Sequence, residues 1–323
     1  MLFNSSKYLQ VVALIATCGF FSHAALAQPP AMTAPDPKPQ ATLAVAPAGF
    51  DTRRDGVAAG KVERIEFDSS VTKGKRPAMV YLPPGYSADR KYPVLYLLHG
   101  IGGNETHWTT PGQADAILDN LIADGKAEPM IVVMPNGRAS NEPSTLFAGP
   151  GPGGGNGQRP GGAAAGGPGG GPGGGAGGMA VEFEAYAAFE RELLNDLIPY
   201  IESHYSASNE RSQRALAGLS MGGGQSLNFG LGNVDTFAFV GGFSSAPNTR
   251  PPAELVADAA LAGQLDLLWV SCGNEDTLFN ISLGVHNQLA AQKVPHVWHI
   301  DEGAHTFPVW KNDLYHFAAL LFR

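Results

Sequence analysis

The chain carries only two cysteines, Cys18 and Cys272, among 323 residues. If Cys18 leaves with an N-terminal signal, no intrachain disulfide can form. Stability must then come from a packed core, which a chain of this length can build. Charge is sparse too: Asp, Glu, Lys and Arg make up 15% of the residues, the formal net charge is −8, and no basic cluster stands out. That balance argues against a nucleic-acid partner. Beyond the N-terminus no run is apolar for long enough to span a bilayer. The usual metal and phosphate spacings are missing as well. There is no His-Glu-x-x-His, no Cys pair, no EF-hand spacing and no G-x-x-x-x-G-K. The sequence therefore predicts neither a metal nor a cofactor.

Glycine, by contrast, is abundant, with 42 residues, and proline contributes 25. They are concentrated in two places that frame the domain organisation. The N-terminus begins with one charge, Lys7, before the apolar run Val11–Phe21, and Ala25-Leu26-Ala27 supplies the small residues of a cleavage site. This reads as a signal peptide over residues 1–27, cut near Gln28, and implies a secreted or periplasmic protein. A lipidated Cys18 is the weaker alternative, because Thr17 is a poor residue before such a cysteine. Residues 28–60 read as a flexible Pro/Ala-rich tether, and residues 61–323 as the folded domain. Within that domain Gly149–Gly178 is almost entirely Gly, Pro and Ala. It cannot bury enough surface to offset the entropy of ordering, so it reads as a disordered surface insertion, with a mobile flap beside the active site as the functional alternative.

Between these segments, short apolar runs alternate with amphipathic ones. Val62–Phe67, Pro77–Leu82, Pro93–Leu98, Met130–Met134, Arg214–Gly218, Phe237–Gly241, Leu267–Val270 and His296–Ile300 read as strands. The continuous runs among them suit strands covered on both faces. Gln113–Ala127, Tyr186–Tyr205 and Val309–Phe322 have helical spacing, and a helix follows Met221. Strands alternating with helices predict one α/β domain with a doubly wound, mostly parallel sheet.

The chemistry centres on Gly218-Leu219-Ser220-Met221-Gly222, set between a strand and a helix. In that context the pentapeptide reads as a nucleophile turn. Glycines two residues either side permit close packing, and the helix start offers the Met221 amide to an oxyanion. Taken alone, the pattern is as easily an ordinary glycine-rich turn. His99-Gly100-Ile101-Gly102-Gly103 follows a buried strand upstream and offers a second amide, that of Ile101. His99 itself reads as structural. A Ser, acid, His order completes the pattern. After the strand Leu267–Val270, both Glu275 and Asp276 qualify as the acid by position, and His305 lies in a loop before the last helix. Among the other histidines, His286, His296, His299 and His316 sit on regular elements and read as structural, while His107 reads as pocket-lining.

Seven blocks in this order resemble a known family: Val80–Tyr86, Tyr92–Gly103, Val132–Arg138, Leu194–Pro199, Ala217–Gly223, Cys272–Leu278 and Gly303–Trp310. They are similar to the esterase D-like α/β-hydrolases, and within them to the feruloyl and acetyl-xylan esterases of carbohydrate esterase family one. The resemblance covers Lys61 to the C-terminus apart from the glycine tract. It implies an α/β-hydrolase fold, selects Asp276 over Glu275 through the pattern Cys-Gly-x-x-Asp-x-Leu, and implies a triad of Ser220, Asp276 and His305. It also implies oxyanion amides from Ile101 and Met221. The expected reaction is ester hydrolysis through an acyl-enzyme, on feruloyl or acetyl groups of plant cell-wall polysaccharide. Within the same class a siderophore trilactone esterase is the runner-up. A thioester hydrolase of the formylglutathione type fits a signal peptide less well, and a catalytically silent binding protein on the same scaffold is the reading from another class.

Overall fold

The computed structural model describes residues 45–142 and 176–323, together with residues 43 and 144. The signal region 1–27, most of residues 28–44 and Gly149–Gly175 of the glycine tract lie outside the described residues. The strands are β1 (Lys61–Asp68), β2 (Lys75–Leu82), β3 (Val94–Leu98), β4 (Ile131–Pro135), β5 (Arg214–Leu219), β6 (Phe239–Phe243), β7 (Leu267–Gly273) and β8 (Val297–Asp301). They form one eight-stranded sheet in the order β1-β2-β4-β3-β5-β6-β7-β8. β2 runs antiparallel to both its neighbours, and every pairing from β4 to β8 is parallel. The helices are α1 (Ala114–Ala123), α2 (Ala176–Glu192), α3 (Ile198–His204), α4 (Met221–Gly232), α5 (Pro252–Leu255), α6 (Ala259–Ala262), α7 (Phe279–Ala291) and α8 (Phe307–Leu320).

The apolar runs are explained by a core on each face of the sheet. In β3, Tyr96 and Leu98 enter one core with Val133, Phe189, Leu216 and Leu227. Leu95 and Leu97 enter the other with Trp108, Val132, Ala217 and Phe317. A strand covered on both faces has no position for a polar side chain, which is why the run is unbroken.

Sheet order also creates the crevice. β3 feeds α1, whose Ile117, Leu118 and Leu121 belong to the second core. Its neighbour β5 feeds α4, whose Leu227 and Phe229 belong to the first. The two connections therefore leave adjacent strand ends toward opposite faces, and a site opens between them.

Three sequence expectations need adjusting. The helix expected over Tyr186–Tyr205 begins earlier, at Ala176, and is interrupted by a π-turn over Leu193–Leu197 between α2 and α3. Pro199 sits in the first turn of α3. It has no N–H and would crowd the carbonyl four residues back, so the wider turn relieves both problems. The last residues of the glycine tract, 176–178, accordingly belong to α2 rather than to a disordered insertion.

The larger correction concerns the tether, because its second half is packed onto the domain. The Ala46 N–H donates to Asn312 Oδ1 at 2.9 Å. Phe50 meets Tyr315 edge-on, with ring centroids 5.4 Å apart. Arg53 pairs with Asp115, and Arg54 with Asp124 at 2.7 Å, both partners lying on or next to α1. The Gly60 N–H donates to Asp119 at 2.8 Å. Lack of periodicity concealed this, since an irregular segment can dock through a few side chains without forming helix or strand. Removing residues 1–60 should uncover Asp119 and Tyr315 and cost about 3 kcal/mol or more in denaturant unfolding.

Candidate active site

Ser220 begins α4 at the end of β5 with φ 54° and ψ −117°, a conformation that a residue with a side chain seldom adopts. Hydrogen bonds hold it there. Its N–H donates to Phe243 O at 2.8 Å, and its carbonyl accepts from Gly224 N at 3.0 Å and Ala246 N at 3.1 Å. The flanking glycines are required by close approach. A Cβ on Gly218 would lie 2.7 Å from the Gly222 backbone, and one on Gly222 would lie 2.5 Å from His99 O. A Cβ on Gly100 would stand 3.0 Å from the Ser220 Cβ. The turn motif therefore reflects three backbone segments meeting at one point.

The sequence-predicted acid and base converge on this serine. Asp276 lies just past β7, and His305 lies in the β8–α8 loop. His305 Nε2 is 2.9 Å from Ser220 Oγ, and His305 Nδ1 is 2.7 Å from Asp276 Oδ2. Asp276 is buried, while Glu275 beside it is exposed. Burial alone would raise the Asp276 carboxyl. Hydrogen bonds from His305 and from the Leu278 N–H, at 2.8 Å, outweigh it and hold the group below the ordinary carboxylate range. An ionised Asp276 can only accept, so Nδ1 carries the imidazole proton and Nε2 presents its lone pair to the Ser220 hydroxyl.

The two loops are stapled together. Asn274 N donates to Asp301 O at 2.8 Å, Glu275 N to Gly303 O at 2.9 Å, and Gly303 N to Asn274 Oδ1 at 2.9 Å. The ring of Trp310 meets His305 edge-on, with centroids 4.9 Å apart. Cys272 does not compete as a nucleophile. It is buried, and burial followed by the Asp276 carboxylate pushes its thiol up to about 12.

The β3–α1 turn lies across the crevice. The Gly100 carbonyl accepts from His99 Nδ1 at 2.6 Å, Gly103 N at 3.1 Å and the Tyr186 hydroxyl at 3.3 Å. Peptide planarity then directs the Ile101 N–H away from those donors. Met221 is the first residue of α4, so its N–H has no intrahelical acceptor. Both amides that the sequence reading singled out thus belong to groups fixed beside Ser220.

His99 is the hidden support of this turn. Its Nε2 accepts from Gly137 N at 2.9 Å, which leaves the proton on Nδ1 for the Gly100 carbonyl. The Gln225 amide holds Gly137 O at 2.8 Å and Tyr186 O at 2.7 Å. Arg76, paired with the fully buried Glu192, donates to Asn136 O at 2.7 Å and Arg138 O at 2.6 Å. Gln225, Tyr186 and Arg76 were not marked by sequence reasoning, because their partners are mostly backbone atoms of distant segments; Trp310 acts through ring contacts with His305 and Phe307. The histidines read as structural are packed ones: His286 bonds His296 at 2.8 Å and stacks on Trp298.

Two surfaces border the serine. Tyr186, Met221 and Ala246 form a small apolar cluster, with Ile101, Phe183 and Leu278 packed against it. Beside it, Gly102, Gly103 and Tyr186 join Asn136, Arg138, Asn141 and Glu142 in lining a polar cleft of about 390 Å³. His107, expected to line the pocket, packs between His99 and Phe307 at ring distances of 6.1 Å.

The family described as putative esterase matches residues 69–156 and 172–320. An endo-1,4-beta-xylanase/feruloyl esterase of Xylanibacter ruminicola is 31% identical over 280 residues, which is 85% of this chain and 33% of that protein. The chain therefore spans about a third of that relative's length. A solved ferulic acid esterase from the anaerobic fungus Anaeromyces mucronatus superposes with a TM-score of 0.67 at 27% identity, covering 86% of this chain and 96% of the other. An enterobactin esterase of Shigella flexneri, at 17% identity, a TM-score of 0.55 and 80% and 58% coverage, shares the fold alone. The fold is that of the α/β-hydrolases.

Burial pushes His99 down to about 4 from an ordinary 6.5. A histidine kept neutral in the folded state and free to protonate when unfolded makes stability rise with pH between those values. Stability contributed by His99 should be complete above pH 6.5 and lost as pH falls toward 4, by up to about 3 kcal/mol. His107, His286 and His296 are shifted in the same direction. The measurement is therefore the difference between wild type and His99→Gln in denaturant unfolding from pH 4 to pH 8, in which the variant should show the shallower slope.

Proposed function

Because the chain belongs to the putative esterase family, we propose that it is a secreted serine esterase that releases feruloyl groups from plant cell-wall polysaccharide through an acyl-enzyme. The observation that carries the reading is the unbroken relay Ser220–His305–Asp276, with contacts of 2.9 and 2.7 Å. Ser220 Oγ attacks the ester carbonyl as its proton passes to His305 Nε2. Asp276 stabilises the imidazolium that forms. The Ile101 and Met221 amides receive the negative charge on the tetrahedral oxygen. His305 then returns the proton to the departing alcohol, and a water deacylates Ser220 by the same route in reverse.

The substrate assignment rests on the two surfaces beside the serine and on what the relatives are named for. An aromatic acyl group suits the apolar wall of Met221, Ala246 and Tyr186. The hydroxyls of a sugar suit the polar cleft that begins at Gly102 and Gly103. An acetyl group would leave most of the apolar wall uncovered. The intact relay argues against a silent binding protein. Secretion is supported by the charge, apolar run and Ala25–Ala27 pattern of the N-terminus, with no metal or cofactor called for by the reaction itself.

Ser220→Ala should lower kcat by about 10⁴-fold or more on methyl ferulate while leaving the fold intact by circular dichroism. Equal rates for variant and wild type would end the esterase reading. In a panel with acetylated xylan and a trilactone siderophore, methyl ferulate should give the highest kcat/KM; a clear preference for either competitor would replace the substrate class. N-terminal sequencing of protein recovered from an expressing culture should begin at Gln28, and an intact Met1 would remove the secretory assignment.

A further inference from the structure

A second polar cluster is buried between β7, β8 and α8. His299 lies on β8, Asp301 ends it, and Asp313 comes from α8. One ligating atom from each falls within 4.8 Å of the other two. Asp313 is fully buried and His299 is 4% exposed. Among the described residues, neither Asp313 carboxylate oxygen nor His299 Nε2 has a hydrogen-bond partner. His299 Nε2 stands 3.7 Å from Asp301 Oδ1. Burial pushes the Asp313 carboxyl up to about 7; the Ser271 hydroxyl and the Trp269 indole N–H face it and pull the other way, yet neither completes a hydrogen bond to it. A carboxyl taken wholly out of water with no direct partner is costly, and such groups are ordinarily paired or bound to a cation.

We infer that His299, Asp301 and Asp313 form a structural divalent-cation site of the zinc type that ties β8 to α8. One imidazole and two carboxylates are a donor set that zinc accepts, with water in the fourth position. Tetrahedral donors about 2.0–2.2 Å from zinc stand roughly 3.4 Å apart, so the cluster needs only modest side-chain rotation to close on the ion. The outer support is present. Asn312 Nδ2 donates to Asp301 Oδ2 at 2.6 Å, fixing one oxygen and leaving Oδ1 turned toward His299. One ligand also reaches the surface. Asp301 also lines a cleft of about 420 Å³ whose walls include Asp51 and Glu302, and whose Lys311 is paired with Asp51. Carboxylates at the mouth favour a cation there.

The site has a consequence for the loop between its ligands. His299 and Asp301 precede residues 302–306 and Asp313 follows them, so an ion held by all three ties the two ends of the segment that carries His305. The site requires no ester chemistry and stands apart from the catalytic reading. Sequence spacing concealed it, because the ligands converge only when α8 folds back on β8.

The test uses tag-free full-length chain, stripped with a chelator, dialysed, and equilibrated with zinc chloride. Wild type and Ser220→Ala should each retain about one zinc per chain, with Tm raised by roughly 5 °C at a hundredfold excess over Kd. Asp313→Asn and, at the exposed edge of the cluster, Asp301→Asn should retain less than about a tenth as much. Hydrogen exchange in residues 302–306 should slow on zinc addition to wild type and Ser220→Ala, and in neither aspartate variant. No retained zinc in wild type, or equal retention in both aspartate variants, would overturn the site. Retention without slower exchange in residues 302–306 would overturn the loop clamp.

Discussion

The backbone of Ser220 is the constraint on which the rest of the molecule depends. A residue with a side chain held at φ 54° carries strain on the order of 1–3 kcal/mol. It persists only because Phe243, Ala246 and Gly224 hold both ends of the residue. That requires β6 beside β5, and it requires β3 close enough for Gly100 to face the Ser220 Cβ. Sheet order, the glycines and the hydroxyl's placement at a helix start are thus one requirement seen from three sides. A Cβ at Gly100, Gly218 or Gly222 would push apart elements that must touch.

Around that point, loops are held in place by groups that do no chemistry themselves. Irregular backbone is ordinarily mobile, and catalysis tolerates little displacement of its groups. Here His99 bridges the β3 and β4 loops, Gln225 joins the β4 loop to α2, and three hydrogen bonds join the loops after β7 and β8. The charged groups drawn into this scaffold are paired, as Arg76 with Glu192 and Arg138 with Glu182. Burying either partner alone would leave an uncompensated charge. Asp313, whose carboxylate oxygens have no hydrogen-bond partner among the described residues, stands outside this pattern.

Much of this was legible in the residues. Unbroken apolar runs announced strands covered on both faces, and each expected strand is present with ends shifted by a few residues. The strand–turn–helix context of Ser220 and the order Ser, acid, His identified the groups that meet. The reading went astray where regular periodicity is a poor guide. Residues 45–60 have no pattern yet dock through Phe50, Arg53 and Arg54. The π-turn before Pro199 lies inside a helical pattern that runs straight through it.

By itself, the sequence determined local matters: which segments become strand or helix, where a turn must carry glycine, and which residue types stand at strand ends. Those follow from side-chain size and polarity over a few neighbouring positions. Position alone left Glu275 and Asp276 equivalent, and the resemblance through Cys-Gly-x-x-Asp-x-Leu preferred Asp276. Only the tertiary structure turned Asp276 inward to His305 and left Glu275 in solvent. It alone showed His99 gripping Gly100, and Asp313 meeting His299. The physical reason is the same in each case. Adjacent residues in a turn point in different directions, and a contact between distant segments is encoded by the packing of the whole sheet rather than by either segment.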